Sequence, residues 1–228
     1  MIYFIGDTHG YLEISKLRHS PAKEGDYAVV LGDFGLLWTE PNKKGYKQDL
    51  WWLKWLQNKP FTTLFVDGNH ENFNLLNSYP VEEWNGGKIH RINDKVIHLM
   101  RGQVFTIDGQ TFFTMGGATS IDKCYRKEGE SWWKEELPSK AEYDEALVNL
   151  DKCNWKVDFV LTHCAPNRIL QQISSYMDKD ELTCFLDTVA ADLDFKCWYF
   201  GHYHCDEQFG DEQGKKYICS YEHFNIAD

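Results

Sequence analysis

The sequence predicts an α/β fold with a mainly parallel core sheet and a second, antiparallel sheet packed against it. Short apolar runs alternate with a helical pattern in the first part of the chain, and close-spaced strand patterns follow from about residue 89 onward. A chain of 228 residues, of which 43% are apolar, contains enough material for one core. We therefore expect a single domain over residues 1–228.

Three apolar runs near the N-terminus predict parallel strands. They span residues 2–5, 27–31 and 62–66, and the second run is apolar throughout, as in a strand buried on both faces. Between the second and third runs, residues 49–56 carry leucine and tryptophan at helical spacing. This pattern predicts a helix that crosses over between two parallel strands.

The middle of the chain predicts antiparallel pairing. Strand patterns cover residues 96–100, 103–107 and 111–115, and Asp108-Gly109 between the last two is a hairpin turn signal. A long polar insert, residues 116–138, comes next. Connections of this length usually have a function, such as covering a site.

The last part of the chain returns to alternating helices and strands. Ser139 followed by Glu142 is a capping-box signal for the helix that comes next. Strands are predicted at residues 157–161 and 197–200, with a helix at residues 180–193 between them.

Charge and cysteine content narrow the functional classes. Acidic residues outnumber basic ones by 35 to 24, a net charge of −11, which argues against nonspecific binding to nucleic acid but allows a small phosphorylated substrate. Seven cysteines without a CxxC pair indicate reduced thiols. The N-terminal residues carry neither a basic segment nor a long apolar run, so we expect a soluble cytoplasmic protein without a membrane segment.

Polar residues follow five of the predicted strands. They are Asp7 and His9, Asp33, Asn69 and His70, His163, and His202 and His204. Taken singly, each has an ordinary explanation as a helix cap, a turn former or a core histidine. Because the carboxyl ends of parallel strands are where such sheets build binding sites, their joint occurrence predicts one site. Mixed imidazole and carboxylate ligands suit transition metals such as Zn, Fe or Mn.

The tetrad Gly68-Asn69-His70-Glu71 illustrates both interpretations. It can be a strand-to-helix turn in which Gly68 permits the bend and Asn69 caps the helix, or it can deliver an oxygen ligand and a proton donor to one cavity. Glu71 is expected to cap or brace the following helix.

As an ordered set, these motifs resemble the calcineurin-like binuclear metallophosphoesterases, in particular the small bacterial and phage-type members. The matching blocks are Asp7-x-His9, Gly32-Asp33, Gly68-Asn69-His70-Glu71, His163 and Gly201-His202-x-His204. The resemblance spans nearly the whole chain. It implies an α/β/β/α fold, in which two mixed β-sheets pack as a sandwich flanked by helices.

The resemblance also implies a site with two divalent transition-metal ions, Mn, Fe, Zn or Ni. One set of ligands would be Asp7, His9, Asp33 and His204, and the other would be Asp33, Asn69, His163 and His202. Asp33 would then bridge the two ions, and His70 would act as proton donor or phosphate contact. The implied activity is hydrolysis of a phosphomonoester or phosphodiester by a bridging hydroxide. The alternatives are hydrolysis of a non-phosphate ester or amide, and a metal-binding regulatory module.

Two departures from the family pattern affect the substrate. Protein phosphatases and dinucleoside tetraphosphatases carry Asp-Arg-Gly shortly after the second motif and an arginine before the tetrad. Here the second motif continues with Phe34-Gly35-Leu36, and Asp67 precedes Gly68. Arg126 and Lys123 in the insert are therefore candidate phosphate contacts, with solvated loop charges as the alternative.

Overall fold

Two mixed sheets and five α-helices make up the fold of residues 1–173 and 179–227, the part of the chain that this computed structural model describes. The strands are β1 (Ile2–Ile5), β2 (Tyr27–Leu31), β3 (Thr62–Val66), β4 (Val81–Trp84), β5 (Gly87–Asn93), β6 (Val96–Leu99), β7 (Gln103–Ile107), β8 (Gln110–Met115), β9 (Phe159–Thr162), β10 (Cys197–Phe200), β11 (Glu207–Gly210), β12 (Lys216–Cys219) and β13 (Asn225–Ile226). The helices are α1 (Tyr46–Gln57), α2 (Phe73–Leu76), α3 (Lys140–Lys152), α4 (Asn167–Ile173) and α5 (Glu181–Asp192).

The first sheet has the strand order β13-β1-β2-β3-β6-β5-β4, and the second has the order β11-β12-β10-β9-β8-β7. In each sheet four central strands are parallel and the strands at the edges are antiparallel. The prediction of two mixed sheets is confirmed. The prediction of a second, antiparallel sheet is wrong in two respects. The strand predicted at residues 96–100 is β6, which pairs parallel with β3 in the first sheet. The second sheet is itself mixed, because β8 pairs parallel with β9.

Three layers of apolar contact hold the sheets and helices together. Phe4 and Tyr199 stack at 4.1 Å between ring centroids in the layer between the two sheets. Ile5, next to Phe4 on β1, packs on the outer face of the first sheet with Leu53 of α1. Trp198 of β10 packs on the outer face of the second sheet with the helices there. Since both faces of the central strands are largely buried, most of their residues are apolar, with polar exceptions such as Thr63 of β3 and His98 of β6.

Helix ends follow the local signals in the sequence. The Ser139–Glu142 capping box is present at the start of α3, and Asp180 caps α5 by accepting a hydrogen bond from the Thr183 amide. Within the described residues, no helix has the length and apolar character needed to cross a bilayer.

Candidate metal and substrate site

The two sheets contribute separate halves of one site. Asp7, Asp33 and Asn69 follow β1, β2 and β3 of the first sheet, whereas His163 and His202 follow β9 and β10 of the second. The carboxyl ends of these parallel strands meet at one edge of the sandwich, which is where such sheets place their sites.

Three groups of side chains at this edge could hold a metal ion. In each group, one ligand atom from every residue lies within 4.8 Å of the others. The groups are Asp7, His9 and His204; His9, Asp33 and His70; and Asp33, His163 and His202. Asp33 and His9 each belong to two groups, so the site is continuous. Imidazole and carboxylate donors of this kind suit divalent transition metals.

Asp33 lies at the centre of the site and is almost fully buried. Its Oδ1 accepts a hydrogen bond from the His70 amide at 2.7 Å and lies 3.3 Å from His163 Nε2. Its Oδ2 lies 3.3 Å from His9 Nε2. The two oxygens of one carboxylate therefore face imidazoles on different sides.

His163 has its ring orientation set by the opposite sheet. Its Nδ1–H donates to the carbonyl oxygen of Leu31 at 2.8 Å, since a carbonyl can only accept. This leaves Nε2 free to face Asp33 and the Asn69 Oδ1, which lies 3.2 Å away. A fixed Nδ1–H donor is the usual way in which a protein prepares a histidine for metal binding through Nε2.

Asp7 is completely buried, and one of its carboxylate oxygens accepts no hydrogen bond. Its Oδ2 accepts a hydrogen bond from the His202 amide at 2.8 Å, whereas its Oδ1 has no hydrogen-bond partner. The nearest ion-pair contact of Oδ1 is His204 Nε2 at 3.5 Å, and the His204 ring stacks on Tyr221 at 4.4 Å. A buried carboxylate oxygen without a donor is costly unless a cation or water completes its environment.

The backbone of the site is strained in a way that the sequence does not reveal. Five of the polar residues have a positive φ angle, in the left-handed region that non-glycine residues rarely adopt. They are Asp7 (27°), His9 (41°), Asp33 (49°), His202 (68°) and His204 (50°). Such conformations cost free energy and cluster at functional sites, where they direct side chains into a cavity.

Two glycines allow the side chains to approach one another. A Cβ atom at Gly32 would collide with the His163 ring, and one at Gly68 would collide with the Asp33 carboxylate and amide. Any other residue at either position would therefore push the histidine or the aspartate out of the site.

Electrostatics couples Asp33 to His163. Burial opposes a charge on either group, but their mutual contact lowers the pKa of the Asp33 carboxyl and raises that of the His163 imidazole. Burial and the neighbouring His163 lower the pKa of His202 to about 4. A metal ion at this position would compete with a proton for His163 Nε2, so metal binding there would depend on pH.

A cavity of about 750 Å³ opens beside these residues. His70 faces it, and Arg126 from the insert lies over the His70 ring, with its Nη1 3.2 Å from Nδ1 and its Nη2 3.5 Å from Nε2. Lys123, the other candidate phosphate contact, is directed elsewhere: its Nζ lies 3.4 Å from Glu136 Oε2, and it does not line the cavity. Of the two cations proposed from the sequence, the structure brings Arg126 alone to the site.

Glu71 has a role that the sequence did not suggest. It is buried, and its two oxygens accept hydrogen bonds from the amides of Phe34 at 2.7 Å and Gly35 at 3.1 Å. The expectation that it caps or braces the following helix is wrong, because Asn72 caps α2 by accepting from the Leu75 amide and both Glu71 oxygens bind the loop after β2. Glu71 instead holds the loop that carries Asp33. Burial, and then the nearby Asp33 charge, raise the pKa of Glu71 to about 8.

Asp67 is also buried, but its charge is balanced within the protein. Its Oδ2 accepts a hydrogen bond from Arg101 Nε at 2.8 Å, and its Oδ1 lies 3.1 Å from His98 Nε2. His98 Nδ1 in turn lies 3.2 Å from His90 Nδ1. The acid that stands where related phosphatases have an arginine is thus part of a buried ion pair.

Comparison with known proteins agrees with this geometry. The family model for calcineurin-like phosphoesterases matches residues 1–206. The chain belongs to the calcineurin-like phosphoesterase family. Members of this family depend on metal ions, and the histidine and aspartate groups described above provide residues that could hold them. A comparison with curated proteins finds no match.

Two solved structures are similar to this chain at low sequence identity, and the first of them shares its fold. A Staphylococcus aureus protein assigned as a 5′-nucleotidase, in complex with α-ketoglutarate, is 15% identical, with a TM-score of 0.50 over 97% of this chain and 48% of its own. This chain therefore spans about half of that protein. Phosphopantetheinyl hydrolase from Mycobacterium tuberculosis is 14% identical, with a TM-score of 0.49 over 97% of this chain and 89% of its own.

Proposed function

We propose that this protein is a metal-dependent hydrolase that cleaves phosphoester bonds. The observation that carries the proposal is the set of overlapping histidine and aspartate groups, with ligand atoms within 4.8 Å of one another, at the joint edge of the two sheets. The family match over residues 1–206 supports the same reaction class.

The side chains fit two divalent ions. Asp7, with an unpartnered buried Oδ1, would hold one ion together with His9, Asp33 and His204. The second ion would be held by His163 and His202, the oxygen of Asn69, and Asp33 again. Asp33 would be the shared ligand, which is supported by its two oxygens facing His9 and His163 separately.

When bound, such ions act as Lewis acids toward a phosphoryl group and lower the pKa of water to about 7. The protein's own residues prepare the site for this chemistry. Leu31 holds His163 in the tautomer that presents Nε2, and Glu71 holds the loop of Asp33. The backbone amide of His70 donates to Asp33 and so limits the rotation of its carboxylate.

His70 and Arg126 form the substrate side of the site. Their contact places an imidazole and a guanidinium together on the cavity wall, next to Asp33. A guanidinium presents a fork of N–H donors to phosphate oxygens, and an imidazole can pass a proton to a departing oxygen. We assign the phosphate contact to Arg126 and the proton donor or phosphate contact to His70.

The cavity supports a small phosphorylated substrate. Its volume of about 750 Å³ exceeds that of a phosphate group, so an organic group fits beside the phosphoryl centre. The net charge of −11 disfavours a nucleic-acid backbone as substrate.

Metal analysis combined with a hydrolysis assay tests this function. The protein is purified without chelator, its metal content is measured by mass spectrometry, and turnover is followed with p-nitrophenyl phosphate and bis-p-nitrophenyl phosphate in added Mn, Fe, Zn or Ni. Matched p-nitrophenyl acetate and p-nitroanilide substrates are tested in parallel. We expect bound metal and metal-dependent cleavage of a phosphoester.

The other outcomes separate the alternatives. Cleavage of only the carboxylic ester or the amide would assign a different hydrolase activity to the same ions. Bound metal without any hydrolysis would favour a regulatory module. Protein that binds no metal and has no metal-dependent activity would overturn the proposal.

Replacement of Arg126 tests the substrate side separately. Arg126→Ala removes the guanidinium above His70, and we expect KM for the preferred phosphoester to rise about tenfold, as for loss of one charge-assisted contact. Lys127→Ala is the control, because Lys127 is an exposed neighbour that pairs with Glu130. Unchanged KM and kcat in Arg126→Ala would remove Arg126 from the site.

A further inference from the structure

The side-chain amide of Asn69 is held at both ends. Its Oδ1 lies 3.2 Å from His163 Nε2, on the metal side of the site, and its Nδ2 donates to the hydroxyl oxygen of Ser120 at 3.1 Å. Asn69 is buried, so an amide nitrogen turned away from the metal side needs an acceptor inside the protein. The Ser120 hydroxyl is that acceptor.

Ser120 belongs to the insert and is itself fixed by a buried acid. Its backbone amide donates to Glu136 Oε2 at 3.1 Å, and both residues are buried. The backbone carbonyl of Glu136 accepts from the Ala118 amide at 3.1 Å, and Lys123 lies 3.4 Å from the same Oε2. Glu136 thus connects the two ends of the insert and holds Ser120 in place.

The insert is also attached to the end of β3, two residues before Asn69. The Gly117 amide donates to the carbonyl oxygen of Asp67 at 2.9 Å. Arg101, the partner of Asp67, donates to the carbonyl oxygen of Glu135 at 2.7 Å. The insert therefore contacts the backbone before Asn69 and the side chain of Asn69 independently, and its position relative to the tetrad is well defined.

We propose that Ser120, held by Glu136, is a positioning residue of the metal site. It binds the Asn69 amide nitrogen and thereby keeps the amide oxygen directed at the cation that Asn69 shares with His163. The inference rests on the proposed function, because it assigns to the insert a part in metal affinity in addition to the substrate contact of Arg126. Partners of this kind, one step removed from the ion, commonly contribute 10- to 100-fold to metal affinity.

Calorimetric titration of the metal-stripped full chain with Mn²⁺ tests the proposal. Ser120→Ala removes the acceptor, and we expect the dissociation constant of one of the two metal equivalents to rise about tenfold. Ser131→Ala is the matched control, because its hydroxyl accepts from the Lys127 amide in the same insert and does not reach Asn69. Thermal melting of each metal-free variant checks that the fold is intact.

Two further variants examine the support of Ser120. Glu136→Gln keeps an oxygen that can accept from the Ser120 amide, so its metal affinity is expected to stay within threefold of the wild type. Glu136→Ala removes that oxygen and is expected to weaken the same metal equivalent as Ser120→Ala. Equal weakening in the two variants would show that Glu136 acts through its charge, and unchanged affinity in Glu136→Ala would show that it has no part in metal binding; either result would overturn its positioning role.

The outcomes distinguish this inference from the proposed function. Wild-type protein that binds no Mn²⁺ overturns both. Wild-type protein that binds two equivalents, with Ser120→Ala unchanged in affinity and melting temperature, overturns the positioning role alone.

Discussion

Asp33 and Asp67 occupy similar places in the chain and have different surroundings. Each follows one of two neighbouring parallel strands, β2 and β3, and each is about 1% exposed. Asp33 faces the imidazoles of His9 and His163, whereas Asp67 is bound by the guanidinium of Arg101.

The comparison shows that the partner cation determines what a buried carboxylate can do. A guanidinium stays protonated at any physiological pH, and Arg101 donates two hydrogen bonds to Asp67 Oδ2, so the charge of Asp67 is permanently balanced. An imidazole can lose its proton, so an external cation can take over the balancing of the Asp33 charge. A buried aspartate after a strand is therefore a metal-site candidate only when its partners can leave or deprotonate.

The largest effect is expected from Asp33→Asn. The amide cannot supply a charged, shared ligand, and we expect phosphoester turnover to fall by about three orders of magnitude or more, equivalent to about 4 kcal/mol of barrier. Asp158→Asn is the control, because Asp158 lies before β9, away from the site, and accepts hydrogen bonds from Thr111. Near-native turnover of Asp33→Asn in saturating metal would contradict the role of Asp33 as shared ligand.

A smaller effect, on stability and not on chemistry, is expected from Arg101→Met. It leaves Asp67 buried with only His98 as a partner, and the free energy of unfolding should fall by about 3 kcal/mol in urea denaturation. In the control, Arg91→Met, the lost pair with Glu82 is partly exposed, and the expected change is below about 1 kcal/mol. Equal losses in the two variants would mean that the buried ion pair contributes no more to the free energy of unfolding than the partly exposed pair.

The smallest effect is expected from His90→Gln at the end of the Asp67 network. Burial and the adjacent His98 lower the pKa of His90 to about 4, from 6.5. Between pH 4 and pH 6.5, His90 therefore binds more protons in the unfolded chain than in the folded protein. The contribution of neutral His90 to the free energy of unfolding is complete above pH 6.5 and is lost as the pH falls towards 4. The charged groups that face His90 across a small cavity include Arg101, Glu142 and Asp67.

We expect His90→Gln to reduce the loss of unfolding free energy between pH 6.5 and 4 by at least about 1 kcal/mol relative to the wild type. Urea denaturation at several pH values measures the change. An identical pH dependence in both proteins would exclude His90 as the group that is protonated on unfolding.

Local sequence patterns predicted much of the fold. The predicted bounds of four strands, Ile2–Ile5, Tyr27–Leu31, Thr62–Val66 and Cys197–Phe200, are confirmed. These strands are buried on both faces, so each appears in the sequence as a short run of mostly apolar residues that ends at a polar residue or a glycine. The same ends carry the polar residues of the candidate site, and parallel pairing brings them together.

Features that depend on long-range contacts could not be predicted in this way. The sequence around Asp67 gives no indication that Arg101, 34 positions further along, neutralises it. Nothing near Asn69 points to Ser120, and Glu71 reaches back to the amide of Phe34. The assignment of β6 to the first sheet likewise depends on its pairing with β3, which local periodicity does not encode.

Because each sheet contributes half of the site, the contacts within the site also hold the two sheets together. Hydrogen bonds already join the two halves, among them those from His163 to the Leu31 carbonyl and from the His202 amide to Asp7. A cation bound to both halves would add a further link, and mass action would increase the free energy needed to separate the sheets. Amide hydrogen exchange in β9 and β10 should then slow when metal binds. The residues of the candidate site would in that case also stabilise the packing of the two sheets against each other.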